Sequence, residues 1–322
     1  MGKLVRIAAY IVAVIGMLCT AIALTARQLP ITNHAVLFVV SFAPYLLAGA
    51  AIAAVLLLLT RHWITAAIAI ALTAAAVAVE LPLFIGTAPP PNSAAVRVLT
   101  ANLRVGEADP NALIDIANHN ADVVVVQELT AQLADTLNQT GIKAAFPYGI
   151  LQPGQYGSGV GIWSRYPITQ SERIEGYRLK MVSADIAIPG TDQDTIFVAV
   201  HLAGPWPQDI GAWRDEIRSL PATLKEFKDQ ANGRPVIVAG DFNATYDMAP
   251  FRKLLTNGYA DAAEQAGAGI TRTFPADGTW PPRFGIDHVL TYNATATDVQ
   301  TVRIPGSDHL GLLATVRLTP LR

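Results

Sequence analysis

The sequence has almost no cysteine. Cys19 is the one cysteine among 322 residues, which excludes an intramolecular disulfide and leaves cysteine usage uninformative about the compartment. Met17 and Leu18 precede it, whereas a lipid-modified cysteine follows a small residue. The sequence therefore predicts a buried apolar thiol in a helix at Cys19, not a lipoprotein anchor.

Charged residues are also few, and they are fewest in the N-terminal part of the chain. Charged residues make up 15% of the chain, 52% is hydrophobic and the mean hydropathy is +0.35. Between residues 4 and 86 the charged residues are Arg6, Arg27, Arg61 and Glu80. The composition becomes ordinary after the proline-rich stretch at 88–92. We therefore expect a membrane anchor at 1–88, a proline-rich linker at 89–95 and a globular domain at 96–322.

The anchor contains three apolar runs, at residues 4–26, 35–59 and 64–85. Each is about as long as the ~20 residues that a helix needs to cross a membrane. The first run alone would also suit a cleaved signal peptide, but two further runs without a clear cleavage site favour three uncleaved transmembrane helices. Pro44 in the second run is expected to be a tolerated kink.

Basic residues predict the orientation of this anchor. Lys3 and Arg6 precede the first run and Arg61 lies between the second and third, against Arg27 in the other short loop. By the positive-inside rule the N-terminus is cytoplasmic, and three crossings place the following domain outside.

The net charge of the two parts differs in sign. The four basic residues of the anchor and Glu80, which we take as a boundary residue at the outer end of the third run, give the anchor a net charge of +3. That leaves −5 for the rest of a chain whose net charge is −2, which disfavours nonspecific nucleic-acid binding.

The globular domain alternates strand and helix patterns without an internal repeat. Continuous runs of Val and Ile predict strands buried on both faces, and Asp109 with Pro110 predicts the start of a helix. Strands are expected at 95–102, 122–128, 158–164, 195–201, 235–243, 287–292 and 312–318, and helices at 110–120 and 209–230, the latter interrupted at Pro221. This order suits two packed sheets flanked by helices.

Polar side chains recur where these strands begin or end. They are Asn102, Glu128, His201, Asp241, Asn243, Asp287, Asp308 and His309. Each alone has an ordinary structural explanation as a turn, cap or solvated strand end. Together they offer hard oxygen ligands, which suit Mg²⁺ or Mn²⁺ better than Zn²⁺, and two histidines able to serve as proton donors or positive charges.

Seven short motifs carry these residues in one order. The motifs are Thr-Ala-Asn-Leu at 100–103, Val-Gln-Glu at 126–128, Ser-Arg-Tyr-Pro-Ile at 164–168, Val-His-Leu at 200–202, Gly-Asp-Phe-Asn at 240–243, Ile-Asp-His-Val at 286–289 and Ser-Asp-His at 307–309. This order resembles the endonuclease/exonuclease/phosphatase (DNase I-like) superfamily. The resemblance spans residues 95–322 and implies a DNase I-like four-layer α/β sandwich. It also implies a metal-dependent hydrolase of phosphoric esters.

The resemblance further implies a role for each motif residue. Glu128, assisted by Asn102, would be the principal Mg²⁺ ligand, and Asp308 would be the other carboxylate close to the metal. Asp241 would orient or deprotonate the attacking water, and Asn243 would hold that water or a phosphoryl oxygen. His309, steadied by Asp287, would contact the phosphoryl group, and His201 would stabilise the transition state or the leaving oxygen.

The predicted membrane anchor indicates which class of substrate to expect. A tethered phosphoesterase has a raised effective concentration toward lipid-linked phosphates, and the layout is similar to a three-span bacterial subgroup that includes a teicoplanin-resistance membrane protein. We therefore expect a membrane or envelope lipid substrate, for example undecaprenyl diphosphate, on the extracytoplasmic face. The alternatives are a tethered nuclease, a phospholipid phosphodiesterase and a binding protein with a vestigial site. A nuclease would need a basic or aromatic surface, for which the candidates are Arg104, Arg165, Arg173, Arg178 and Lys180.

Two histidines are expected to lie outside the site. His288 should face the opposite side of its strand from Asp287, and His119 should be a surface residue of a helix. Trp206, Trp213 and Trp280 could pack at the rim of the site or at the membrane face, but packing in the core or against a proline is the prediction for all three.

Overall fold

A computed structural model describes residues 2–91 and 93–319. Asn92 of the predicted linker and residues 320–322 of the predicted domain lie outside the described residues. The chain divides into two compact units, which are described in turn. One comprises Met1–Pro82 with Tyr246–Arg252, and the other comprises Leu83–Thr245 with Lys253–Arg322.

The first unit is helical. Its main helices are α1 (Lys3–Ala26), α2 (His34–Ser41), α3 (Ala43–Leu59) and α4 (Trp63–Glu80). By length and apolar composition, Lys3–Ala26 and Trp63–Phe84 are candidate membrane spans, the latter including a 3₁₀ turn at Leu81–Phe84.

The second apolar run forms two helices, where the sequence predicts a single helix with a kink at Pro44. α2 and α3 are bent by 59° at Phe42, so they count as a third candidate span only if the bent pair is taken as one. Pro44 lies in the first turn of α3, where a missing N–H costs nothing. Proline therefore helps to start a new helix here.

Small residues let α1 and α3 approach closely. A Cβ added to Gly16 would lie 2.5 Å from the carbonyl oxygen of Gly49, and the reverse holds for Gly49. Beside this contact the Thr20 hydroxyl donates to Leu46 O at 3.0 Å and accepts from Ala50 N at 2.8 Å. Close backbone approach and an interhelical hydroxyl are the usual means of packing apolar helices where water gives no driving force.

A buried arginine joins three parts of the first unit. Arg27, 2% exposed, donates from Nη1 to Glu80 Oε1 at 2.7 Å and is also paired with Asp247. Nη2 of Arg252 donates to Arg27 O at 2.5 Å. Glu80 therefore acts as an ion-pair partner of Arg27, and the pair compensates the cost of burying either charge.

The second unit contains two mixed β-sheets. The strands are β1 (Ala94–Asn102), β2 (Val123–Gln127), β3 (Tyr148–Gln152), β4 (Val160–Ser164), β5 (Ile168–Ile174), β6 (Met181–Ile186), β7 (Thr195–His201), β8 (Val236–Asp241), β9 (Ala260–Asp261), β10 (Asp287–Tyr292), β11 (Ala294–Arg303) and β12 (Leu310–Leu318). The first sheet has the order β11-β12-β1-β2-β4-β3, and the second has the order β5-β6-β7-β8-β10-β9. The prediction of two sheets flanked by helices is confirmed.

The core lies between the two sheets. Alternate residues of β1, β2 and β4 pack against alternate residues of β6, β7, β8 and β10, as the two-residue period of a strand requires. The intervening residues of β1 and β2 face helices α5 (Pro110–Asn120) and α6 (Ala131–Thr140). Because both faces are covered, the Val-rich β2 is buried throughout, as its sequence predicts.

Polar caps fix the helices around the sheets. Asp109 accepts from Asn111 N and Ala112 N at the start of α5, which matches the predicted boundary. The remaining helices of this unit are α7 (Ile142–Ala145), α8 (Ile210–Ala231) and α10 (Ala262–Ala266), whereas α9 (Ala249–Arg252) belongs to the first unit. The prediction that Pro221 interrupts its helix is wrong, because α8 continues through it. The apolar stripe of α8 packs against the protein and retains the helix despite the lost hydrogen bond.

Three tryptophans of this unit differ in how far they are buried. Trp213 on α8 is fully buried, as expected, and its Nε1 donates to Phe242 O at 3.3 Å. Trp206 and Trp280 are 60% and 72% exposed, so the expectation of core packing is wrong for both. Each lies in a proline-containing loop, outside any strand or helix that could carry it into the core.

Candidate active site

Strand register brings three predicted site residues into one row. His201 at the end of β7 is the parallel partner of Asp241 at the end of β8, and Asp241 is the antiparallel partner of Asp287 at the start of β10. Partner residues on neighbouring strands point to the same face of a sheet. Side chains separated by up to 86 positions in sequence therefore converge at one edge of the second sheet.

The strand before Asp241 allows no side chain at position 240. A Cβ on Gly240 would lie 1.9 Å from Val200 O, so glycine is required for β7 and β8 to pair up to their last residues. In the Gly-Asp-Phe-Asn motif, the first residue must therefore be glycine because the backbone of the neighbouring strand leaves no room for a side chain. The second residue, Asp241, is a site residue.

His309 is held by Asp287. Its Nδ1 donates to Asp287 Oδ2 at 2.8 Å, and its Nε2 lies 3.9 Å from Asp241 Oδ2. Burial alone would lower the pKa of His309, but the charge and hydrogen bond of Asp287 raise it, to about 10. His309 therefore carries a positive charge, and Phe274 packs against its ring with centroids 4.8 Å apart.

The first sheet contributes Asn102 and Glu128. Asn102 ends β1, while Glu128 follows β2 with a φ of 58°, an unfavourable conformation for a glutamate that recurs at functional sites. Nδ2 of Asn102 donates to Glu128 Oε1 at 3.2 Å and to Asp241 Oδ2 at 3.1 Å. Val105 N donates to Glu128 Oε2 at 2.7 Å. Asn102 thus links carboxylates that project from the two different sheets.

The last two predicted residues lie in loops beside these strands. Asn243, also left-handed with a φ of 49°, donates from its backbone N to Asp241 Oδ1 at 2.8 Å and from Nδ2 to Leu202 O at 2.9 Å. Asp308 precedes His309. The Ser307 hydroxyl holds their loop by donating to Asn102 O at 2.7 Å and accepting from His309 N at 3.0 Å.

Most of these side chains open into one pocket of about 370 Å³. Six of the eight predicted residues line it, while Asn102 and Asp287 lie behind them as hydrogen-bond partners. The six are Glu128, His201, Asp241, Asn243, Asp308 and His309. A volume in this range suits a small substrate group with convergent polar contacts.

The pocket concentrates negative charge. Burial and the nearby charge of Asp287 raise the pKa of Asp241, to about 7, and burial raises the pKa of Glu128 above its usual value. Burial and the charge of His309 lower the pKa of His201 to about 4, so His201 is neutral. The charges of His309 and of Arg178, which also lines the pocket, cannot balance the carboxylates of Glu128, Asp241, Asp287 and Asp308, and a cation in the pocket would relieve the excess.

The residues present fit a hard divalent cation. Glu128 and Asp308 offer carboxylate oxygens to the pocket, the donors that Mg²⁺ and Mn²⁺ prefer. Asn102 Oδ1 accepts from Arg104 N at 2.9 Å, so its amide positions Glu128 in this structure, and its role as a ligand stays a prediction. A second possible metal group is Asp241, Asp287 and His309, whose ligand atoms lie within 4.8 Å of one another. In that group His309 would bind as neutral imidazole, whereas its hydrogen bond and ion pair with Asp287 favour the protonated ring.

Five further residues shape the site. Ser307 and Phe274 position His309, while Tyr156, Arg178 and Trp206 line the pocket. The sequence indicates Arg178 only as a candidate for a basic surface, and it predicts Trp206 chiefly in the core or against a proline. Ser307 lies inside a motif that marks it, whereas Phe274 and Tyr156 carry no signal in a single sequence, because their positions depend on loops that fold back over the strand ends.

His288 lies outside this site, as its strand position suggests. Nδ1 contacts Asp261 Oδ2 at 2.7 Å and Nε2 contacts Ala244 O at 2.9 Å. Both partners accept, so both ring nitrogens donate. Burial would lower the pKa of His288, but the hydrogen bond and charge of Asp261 outweigh burial and raise it.

We expect His288→Gln to destabilise the protein. Loss of the buried pair with Asp261 costs about 3 kcal/mol, which corresponds to a fall in Tm of about 6–12 °C for a domain of this size.

The destabilisation should depend on pH. Because folding raises the pKa of His288, the pair with Asp261 contributes fully to stability below the ordinary pKa of histidine, and this contribution is lost as pH rises through the raised pKa. Melting curves of His288→Gln and wild type should therefore differ most at pH 6 and converge at alkaline pH. His119→Gln, an exposed histidine on α5, is the control, and a gap independent of pH would contradict a charged His288.

The fold and the pocket together define a DNase I-like α/β protein with an acidic phosphoesterase-type site. The sequence model of the Endonuclease/Exonuclease/phosphatase family matches residues 99–309. The chain belongs to this family of hydrolytic phosphoesterases and nucleases. No curated protein sequence matches it significantly.

Similar solved structures support the fold. The endonuclease/exonuclease/phosphatase from Bacteroides vulgatus is 19% identical, with a TM-score of 0.58 over 70% of this chain and 99% of its own. D. rerio TDP2 complexed with single strand DNA product is 19% identical, with a TM-score of 0.57 over 70% and 99%. The family member from Beutenbergia cavernae is 18% identical, with a TM-score of 0.52 over 70% and 72%.

Proposed function

We propose that this protein is a membrane-anchored, Mg²⁺-dependent phosphoesterase that hydrolyses phosphate esters or diphosphates of membrane or envelope lipids on the extracytoplasmic face. The observation that carries the proposal is the joining, in one chain, of an acidic phosphoesterase-type pocket with candidate membrane-spanning helices. Undecaprenyl diphosphate represents the substrate class, and Mn²⁺ is an alternative cation.

The pocket residues account for hydrolysis of such a bond. Asp241, held by Asn243 N and Asn102 Nδ2, orients water and accepts its proton. The water oxygen bonds to phosphorus, the bond from phosphorus to the leaving oxygen breaks, and that oxygen takes up a proton from solvent. His309⁺ stabilises the negative charge that grows on the phosphoryl oxygens, and His201 lies beside Glu128 and Asp241 at 4.0 and 3.9 Å. A divalent cation held by Glu128 and Asp308 would supply further charge neutralisation.

The distribution of basic residues favours lipid phosphates over long nucleic acids. Four of the five candidates for a basic surface are engaged elsewhere. Arg104 pairs with Glu107 and Asp277, Arg165 donates to three carbonyl oxygens, Arg173 pairs with Glu175, and Lys180 donates to Pro153 O. Nonspecific nucleic-acid binding depends on several free cations along the backbone.

A tethered nuclease is the second candidate. The likeness to D. rerio TDP2 complexed with single strand DNA product favours it, as do the exposed Tyr156 and Trp206 at the pocket, because exposed aromatic rings can stack on bases. A phospholipid phosphodiesterase would use the same site.

A substrate panel separates these functions. Full-length protein in detergent with Mg²⁺ is given undecaprenyl diphosphate, a phospholipid mixture and single-stranded DNA, with Asp241→Asn as the inactive comparison. We expect phosphate release from the isoprenoid by the wild type alone. Cleavage of DNA alone would make the protein a nuclease, and release of a lipid head group alone would make it a phosphodiesterase.

The location of the domain has its own test. Three crossings with Lys3, Arg6 and Arg61 inside put the catalytic unit outside. In a Cys19→Ser background, a cysteine at the exposed Asp298 position of β11 should react with a membrane-impermeant maleimide in intact cells. Labelling only after lysis would place the domain inside, as two crossings with a re-entrant α2–α3 pair would require.

A further inference from the structure

The candidate pocket extends well beyond the residues assigned to the reaction. Besides the strand-end residues, its walls include Arg178 and Leu179 from one loop and Trp206, Pro207 and Gln208 from another. Its volume of about 370 Å³ leaves room for more of the substrate than a single phosphoryl group.

Arg178 is the one arginine among the described residues that line this pocket, and no lysine lines it. The residue is exposed, and among the described residues no carboxylate forms an ion pair with its guanidinium. This differs from the neighbouring Arg173, which pairs with Glu175, and from Lys180, which donates to Pro153 O. An unpaired guanidinium beside an acidic pocket is suited to bind an anionic group of a ligand, and phosphate matches its planar donors.

A buried carboxylate fixes the loop that carries Arg178. Glu216 on α8 is 7% exposed; its Oε1 accepts from Arg178 N at 2.6 Å and its Oε2 accepts from Ala203 N at 2.7 Å. Ala203 is the second residue of the loop that contains Trp206. One side chain therefore holds both loops of the pocket wall against α8, and without it two backbone N–H groups would lose their acceptor.

The same helix is connected to the reaction centre. Trp213, three residues before Glu216, donates from Nε1 to Phe242 O, directly after Asp241. α8 thus sets the position of the candidate water-activating strand and of the Arg178 loop together. A fixed separation between them is what recognition of two linked phosphates requires.

We infer that Arg178 forms a second anion subsite, which binds the additional phosphate of a diphosphate substrate while the first is attacked beside Asp241, and that Glu216 is the residue that positions it. This inference rests on the proposed function and narrows its substrate class to diphosphates over monoesters. The ligand chemistry is a pair of linked phosphates, whatever lipid carries them.

Binding without turnover tests the subsite separately from the reaction. The probes are methylenediphosphonate, which cannot be hydrolysed, and inorganic phosphate, each titrated by calorimetry into full-length protein at saturating Mg²⁺. We expect Arg178→Gln to weaken diphosphonate binding about tenfold or more and to leave phosphate binding unchanged. Arg173→Gln, on the neighbouring strand β5, should change neither. Equal losses for both probes, or no loss for diphosphonate, would overturn the inference.

The positioning role has a separate signature. If Glu216 acts through Arg178, Glu216→Gln weakens diphosphonate binding, and the double variant binds it no more weakly than Arg178→Gln alone. Additive losses would show that Glu216 supports the fold only. Because these measurements need no hydrolysis, a failure of the lipid substrate panel with an intact diphosphonate preference would reject the proposed lipid and keep the subsite.

Discussion

Asp241→Asn should lower kcat about 10³-fold on the substrate that the panel identifies. The carboxylate of Asp241 ends a strand of the second sheet and is held by the backbone N of Asn243 at 2.8 Å and by Nδ2 of Asn102, from the first sheet, at 3.1 Å. Asparagine has nearly the same shape but cannot accept a proton. General base catalysis contributes about 10²–10⁴-fold, so the expected loss lies within this range and affects kcat more than KM.

The control for this variant is Asp135→Asn, an exposed position on α6, which should retain wild-type kcat. Melting curves should show that Asp241→Asn is folded, because the replaced oxygen is buried and its conversion to an amide removes a charge from a crowded acidic cluster. Retention of more than about a tenth of the activity would remove Asp241 from the role of base. The neutral His201 would then be the next candidate, and loss of the residual activity in Asp241→Asn/His201→Gln would assign the role to it.

The parts of the fold that follow from local pattern were predictable. β7 and β10 begin and end where the sequence indicates, because each combines a β-branched run with a polar residue at its boundary. Strands β3, β5, β6, β9 and β11 were not predicted. β5 is mostly exposed, so its side chains are free to be polar, and a strand without an apolar face has no periodic signal.

The convergence of the site residues could be predicted, but not their hydrogen bonds. Motif order indicated which residues meet, and strand register then places His201, Asp241 and Asp287 in one row. The link from Asn102 to Asp241 joins residues 139 positions apart on different sheets. It depends on how the sheets pack, which no local pattern encodes.

Glu216 is the strongest example of a residue that sequence reasoning could not identify. Its place on α8 suggests a solvated glutamate, since charged residues are rarely buried without partners. Its partners are backbone N–H groups 13 and 38 positions away. Every residue except proline has such a group, so the amino-acid sequence does not indicate which ones Glu216 binds. Arg178 is one of five candidates for a basic surface, and the sequence does not indicate that it is the one that lines the pocket.

Glu128→Gln is expected to have the second large effect, on metal affinity. Burial already raises the pKa of Glu128, which means that the ionised carboxylate lacks sufficient positive charge around it, and a divalent cation would supply that charge. Glutamine keeps the volume and one oxygen but loses the negative charge. We expect the Mg²⁺ concentration for half-maximal activity to rise about 10²-fold. Titration of Mn²⁺ by electron paramagnetic resonance, without substrate, should show the same loss of affinity.

This second measurement also decides between the two groups of residues that could hold the cation. Asp287→Asn removes the partner of His309 but leaves Glu128 and Asp308 in place, so it should lower kcat while Mn²⁺ binding stays close to wild type. Glu175→Gln, an exposed carboxylate paired with Arg173, should alter neither quantity. If Mn²⁺ binding instead survives Glu128→Gln and disappears with Asp287→Asn, the cation belongs with Asp241, Asp287 and His309. His309 would then have to be a neutral ligand, and its role as the positive charge facing the phosphoryl group would be lost.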